Sequence, residues 1–227
     1  NGLHPENIYM FDSGAIGAFW QQVSEGTFDL DYFEYIIHKI PSDLENIKGF
    51  MEDLSKIEYG YVGDVVSEYL LLQASAFGGK QIYDLGCKFS NTSFRSYWKP
   101  TETSSRRSPV NPMMPMPSTL LDRVKKVVNE MQPIKATHTY AENIDFSKIK
   151  TDKELVVYID PPYKGTTGYK DNIDLSLVIN NAKCVGAKVF VSEYYNLSED
   201  FVILSDTTKG GISGDRKGSM VEYLSIL

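Results

Sequence analysis

The feature that most constrains the fold is the order of short apolar runs and amphipathic stretches in the second half of the chain. Residues 136–140, 155–159, 188–192, 201–204 and 220–227 read as strands, whereas the stretches opened by Ser118 and by Asp174 (to residue 187) read as helices. Strands alternating with helices build a mainly parallel sheet with helices on its faces, so the expected class is α/β. In such sheets ligands gather at the carboxyl ends of strands, and chemistry is sought there.

The first half is richer in helix. Residues 8–11 form an apolar run ended by Asp12-Ser13-Gly14, where an Asp or Ser side chain can cap the helix that follows. Ile16, Phe19, Trp20 and Val23 then fall at helical spacing up to Gly26. Three more helical patterns, 29–39, 42–56 and 62–76, are punctuated by Pro41, Gly60 and Gly63. From Gly78-Gly79 the chain turns alternating and aromatic, which predicts a loop or irregular hairpin. Five prolines between residues 100 and 117, with Ser and Thr among them, remove periodicity, and a mobile loop is expected. The predicted organisation is a core made of residues 1–40 and 118–227, with residues 41–117 inserted into it.

Composition narrows the class of protein. With 227 residues, 42% of them hydrophobic, the chain can bury one good-sized core. Its longest apolar runs, such as Leu70-Leu71-Leu72, fall far short of a membrane span of about 20 residues. No secretory leader pattern opens the chain, and Cys87 and Cys184 are too few for a disulfide framework, so a cytoplasmic protein with reduced thiols is expected. The net charge of -7 is uneven: residues 80–107 hold six basic residues against two acidic ones, a local +4 that leaves -11 for the rest. A basic stretch on an acidic body suits a localised phosphate contact; a solvated charged loop would look the same.

The segment richest in chemistry is Val156-Val157-Tyr158-Ile159 followed by Asp160-Pro161-Pro162-Tyr163. A buried strand here delivers a carboxylate, a diproline turn and an aromatic ring in succession. Each proline fixes φ and lacks an N–H, so the pair holds an extended turn whose carbonyls serve as fixed acceptors. An exocyclic amine needs such acceptors, because its lone pair is delocalised into the ring it is attached to. Tyr163 offers a stacking face for a base taken out of its duplex. The same residues also suit an ordinary strand-ending turn, where Asp and Pro are common.

With these residues the chain resembles the Dam-like family of DNA adenine-N6 methyltransferases, whose hallmark is Asp-Pro-Pro-Tyr after a hydrophobic strand. Phe11-Asp12, the helix with Phe19-Trp20, and Glu25-Gly26-Thr27-Phe28-Asp29 are similar to the segment following the cofactor's ribose-binding acid. Residues 67–77 with Gly78-Gly79 are similar to the helix and turn leading into target recognition. Residues 217–224 resemble the closing strand. The likeness runs from about Asn7 to the end and is specific at Asp160 to Tyr163.

The resemblance implies a Rossmann-like methyltransferase sheet using S-adenosylmethionine, with double-stranded DNA as partner, no metal, and residues 41–117 as the target-recognition region. Asp160, Pro161, Pro162 and Tyr163 would be catalytic. Asp12 would take the ribose hydroxyls, although it also suits a helix cap; Asp145 and Phe146 would lie at the cofactor adenine, and Asp160 would border the cofactor too. A plain turn is the alternative for Asp145. Lys88, Asn91, Arg95, Arg106 and Arg107 would contact DNA, the last two at phosphates and Asn91 and Arg95 at bases. Ser192 to Asn196 would help wall the base pocket, unless it is a surface loop.

One departure stands out. The family carries a Phe-x-Gly-x-Gly loop well ahead of the ribose acid, and only eleven residues precede Asp12 here. An upstream segment or a second chain is expected to supply it. Two rivals follow: an inert relative that only binds DNA or cofactor, and an amine methyltransferase acting on RNA or protein.

Overall fold

The computed structural model describes residues 4–56, 62–77, 82–84, 88–90, 93–94, 115–151, 153–162, 173–208 and 219–227. Its contacts divide the chain into two units, Asn1–Tyr140 and Ala141–Leu227.

In the first unit the opening apolar run becomes β1 (Tyr9–Asp12), and α1 (Ala15–Glu25) follows at once. The turn between them is tight. A Cβ on Gly17 would lie 2.2 Å from the Asp12 carbonyl oxygen, so a side chain there has no room. Gly26 ends the helix in the left-handed region at φ 68°, the usual glycine stop. Two aspartates then start helices: Asp29 accepts from the Tyr32 N–H (2.8 Å) ahead of α2 (Leu30–His38), and Asp43 accepts from Glu45 N–H (3.2 Å) ahead of α3 (Leu44–Leu54). Next come α4 (Val62–Ser75) and four short strands, of which β2 (Ala76–Phe77) pairs with β5 (Ser93–Phe94), and β3 (Ile82–Asp84) with β4 (Lys88–Ser90), both antiparallel. α5 (Pro117–Met131) opens with proline, whose missing N–H costs nothing in a first turn. β6 (Lys135–His138) closes the unit, parallel to β1 with Asp12 opposite His138.

The core of this unit is helical. Phe19 and Val23 of α1, Phe33, Ile36 and Ile37 of α2, Ile47 and Met51 of α3, Val66, Leu71 and Leu72 of α4, and Leu121 and Val124 of α5 are buried in one cluster. Phe28 stands edge-on to Phe19 at 5.1 Å within it. α3 and α4 share this core with α1, α2 and α5.

The second unit is a four-stranded sheet in the order β7 (Val156–Ile159), β8 (Lys188–Glu193), β10 (Ser219–Ile226), β9 (Phe201–Thr208). β7 and β8 run parallel, whereas β10 is antiparallel to both its neighbours, so the sheet is mixed where a mainly parallel one was predicted. α6 (Leu175–Cys184) connects β7 to β8. It starts at Asp174, whose carboxylate accepts from the Leu177 N–H at 3.0 Å. Val178 and Ala182 of α6 pack with Ile159, Val189 and Val191 of the sheet and with Phe146, leaving the odd-numbered residues of β7 and β8 on the helix-covered face. The even-numbered ones, Tyr158 and Ser192 among them, project from the other. The described residues thus form a mixed α/β structure, and no helix among them is long and apolar enough to cross a membrane.

Candidate functional site at the end of β7

Asp160 follows the last paired residue of β7, whose register sets Ile159 opposite Val191. The next residue of each strand is then Asp160 and Ser192, and a hydrogen bond joins them: the Ser192 hydroxyl donates to Asp160 Oδ1 at 2.9 Å. The Tyr158 hydroxyl lies 3.0 Å from the same Ser192 oxygen. Ser192 is fully buried (0% exposed), whereas Asp160 and the Tyr158 side chain are open to solvent. Pro161, immediately after, is buried and Pro162 half-buried. Among the described residues, nothing donates a hydrogen bond to Asp160 Oδ2. The arrangement is a carboxylate anchored through one oxygen, at the carboxyl end of a strand, beside a turn that donates nothing. Tyr163, the fourth member of the predicted motif, lies outside the described residues.

Asp12 ends β1. Its Oδ1 accepts from the N–H groups of Gly14 (2.6 Å) and Gly17 (3.2 Å), so it caps the start of α1. The backbone there is held as well: Thr139 N–H donates to the Asp12 carbonyl at 3.0 Å, and the His138 ring nitrogen Nε2 meets the Ser13 carbonyl at 2.8 Å. The charge is felt nearby. Burial, and then the Asp12 charge, push the Tyr69 hydroxyl up to about 12. Asp12 thus performs the cap that its sequence context offered, with Oδ2 left without a donor among the described residues.

Asp145 and Phe146 are adjacent in the second unit, one in a 3-10 turn and the other buried. Asp145 caps a 3-10 turn, Phe146–Lys148, accepting from both the hydroxyl (2.5 Å) and the N–H (3.2 Å) of Ser147, with the Lys148 ammonium 3.4 Å away. The Ser147 hydroxyl, with Lys148 and the Ser147 N–H adding to it, holds the Asp145 carboxyl below the usual range. Phe146 is buried in the core against the sheet, so its ring faces packing partners. A shallow cleft does lie beside it, lined by Ser147, Lys153, Leu155 and Gly186 among others, at the amino ends of β7 and β8. That is the end opposite Asp160. Among the described residues, Asp12 in the first unit and Asp160 in the second each keep one carboxylate oxygen without a hydrogen-bond donor, which is what a polar group of S-adenosylmethionine would need from either.

Of the predicted DNA contacts, Lys88 stands on β4 as the register partner of Asp84. Asn91, Arg95, Arg106 and Arg107 lie outside the described residues. Sequence reasoning missed two groups at the site. Ser192 was read as the end of a strand and a pocket wall, and Tyr158 as one more apolar strand residue; only the register of β7 on β8 brings their hydroxyls to Asp160. Another group belongs to the helical core: Glu68 on α4 is 2% exposed, accepts from the Tyr32 hydroxyl at 2.5 Å, and leaves its other oxygen buried without a partner among the described residues. Burial pushes its carboxyl up to about 7, with the Tyr32 hydrogen bond acting the other way.

No protein-family model matches the chain, and no curated protein matches it either.

Proposed function

We propose that the chain is an S-adenosylmethionine-dependent methyltransferase that acts on N6 of an adenine flipped out of double-stranded DNA. The observation that carries this reading is the Asp160 carboxylate, pinned by Ser192 through one oxygen and, among the described residues, open at the other, directly ahead of Pro161-Pro162. An adenine amine has two hydrogens to place, and the open oxygen of Asp160 and the Pro161 carbonyl are acceptors on consecutive residues. Hydrogen bonds to both would favour a more tetrahedral nitrogen with its lone pair directed outward. When bound, S-adenosylmethionine supplies an electrophilic methyl group on a sulfonium. The chain's contribution is orientation of the amine and acceptance of the proton that the methylated, cationic nitrogen must shed. Asp12 is the cofactor contact retained in this reading. Lys88, Arg106 and Arg107 would neutralise phosphates, and Asn91 and Arg95 would read bases.

Transfer of a tritiated methyl group to adenine-containing duplex DNA, to duplex lacking adenine in one strand, and to RNA tests the proposal. Wild type should label the adenine-bearing DNA strand, and Asp160→Ala should reduce transfer by at least a hundredfold while leaving the circular dichroism spectrum unchanged. Labelling of RNA alone would reassign the acceptor, and full activity of Asp160→Ala would overturn the mechanism.

A further inference from the structure

We infer that Ser192 is a positioning residue for Asp160, and Tyr158 one for Ser192, the three forming a directed relay that aims the open carboxylate oxygen. Its use in catalysis rests on the methyl-transfer reading; its geometry does not. The direction follows from the inventory of donors. The single Ser192 hydrogen is donated to Asp160 Oδ1 at 2.9 Å and is committed there. The Ser192 oxygen must then receive the Tyr158 hydroxyl hydrogen across their 3.0 Å contact. Both of Ser192's bonding roles are filled, as a fully buried hydroxyl requires.

The strands make this arrangement rigid. Tyr158, Asp160 and Ser192 project from the face opposite α6, and the register on the covered face is locked by Ile159 and Val191 in the core. Without Ser192, the exposed carboxylate would be free to turn about its side-chain torsions and hydrogen-bond with water. With it, Oδ1 is fixed and Oδ2 keeps one direction for an amine hydrogen. A hydroxyl serves better here than a cation, because it orients the carboxylate without competing charge at the open oxygen.

The test compares Ser192→Ala, Ser192→Thr and Tyr158→Phe in the full chain. Single-turnover methyl transfer to adenine-containing duplex should fall about tenfold in Ser192→Ala, equivalent to about 1.4 kcal/mol of barrier, with the KM for DNA unchanged. Ser192→Thr, which keeps the hydroxyl, should restore most of that rate, and Tyr158→Phe should lose about threefold. A wild-type rate in Ser192→Ala, or a loss that appears in KM and is not restored by threonine, overturns the positioning role. Crystal structures of wild type and Ser192→Ala provide a readout independent of activity: the variant should show the Asp160 carboxylate rotated or split between two rotamers. An unmoved carboxylate overturns the relay, whereas a rotated one in a wild-type chain that methylates nothing upholds the relay and refutes only the methyl-transfer reading.

Discussion

Replacing Gly17 by alanine should destabilise the first unit, although alanine is the better helix former. The added methyl would meet the Asp12 carbonyl oxygen at 2.2 Å, its carbonyl carbon at 2.7 Å and Asp12 Cβ at 2.9 Å. Ordinary contact needs about 3.5 Å, so α1 and β1 must part by roughly 1 Å. Neither side yields readily. The Asp12 carbonyl is held by Thr139 N–H, and moving α1 stretches the bond from Gly17 N–H to Asp12 Oδ1, already 3.2 Å long. Overpacking of this kind costs about 1–3 kcal/mol, and a weakened cap adds about 1 kcal/mol. The gain in helix propensity returns about 1 kcal/mol. The net loss, about 1–3 kcal/mol, should lower Tm by roughly 3–10 °C for a chain of this size. Gly49 is the internal control: it is exposed within α3, nothing lies within 4 Å of its would-be Cβ, and Gly49→Ala should stabilise by up to about 1 kcal/mol. Urea unfolding followed by circular dichroism gives both numbers. A Gly17→Ala protein as stable as wild type would refute the steric reasoning.

Glu68→Gln should remove a pH dependence from stability. With its carboxyl raised to about 7 from an ordinary 4.5, the folded state binds the Glu68 proton more tightly than the unfolded chain does. That contribution is complete below about pH 4.5 and is lost as pH climbs through about 7, a change of up to about 3 kcal/mol; parallel guanidinium profiles for the two proteins between pH 4 and 8 would sink the idea. Asp174→Ala should cost about 1 kcal/mol by uncapping α6, and should speed amide exchange at Leu177, whose N–H the Asp174 carboxylate accepts; unchanged exchange there would count against the cap.

What was legible in the sequence was local. Asp29 and Asp174 announce the starts of α2 and α6 because a carboxylate that accepts an early helical N–H is a short-range device, visible within a few residues. Gly26 marks an end in the same way. The apolar runs gave β7 and β8 nearly to the residue. What stayed hidden depends on partners distant in the chain. Helical periodicity shows that Ile47, Met51, Val66 and Leu72 face a core, but not that this core also contains Phe19 and Phe33. The run at Phe201 shows a strand without showing its direction, so the antiparallel pairing of β9 with β10 was not foreseen. That Phe146 shares a buried cluster with Val178 and Val189 was likewise not visible, since both lie more than thirty positions away. At the site, Asp160 was readable from its own neighbours, whereas Ser192, 32 positions onward, needed the register.

That register also determines which changes of length the second unit can absorb. Side chains on a strand alternate between faces, so one residue inserted within Val156–Ile159 would carry Asp160 to the side that α6 covers and strand the Ser192 hydroxyl without its acceptor. A residue added instead between Cys184 and Lys188, where the chain turns through Gly186 at φ 78°, leaves the facing of both strands as it was. Drift in chain length is thus filtered unevenly: the turn into β8 can vary among descendants of this sequence, while the four-residue span leading to Asp160 can change its letters but not its count.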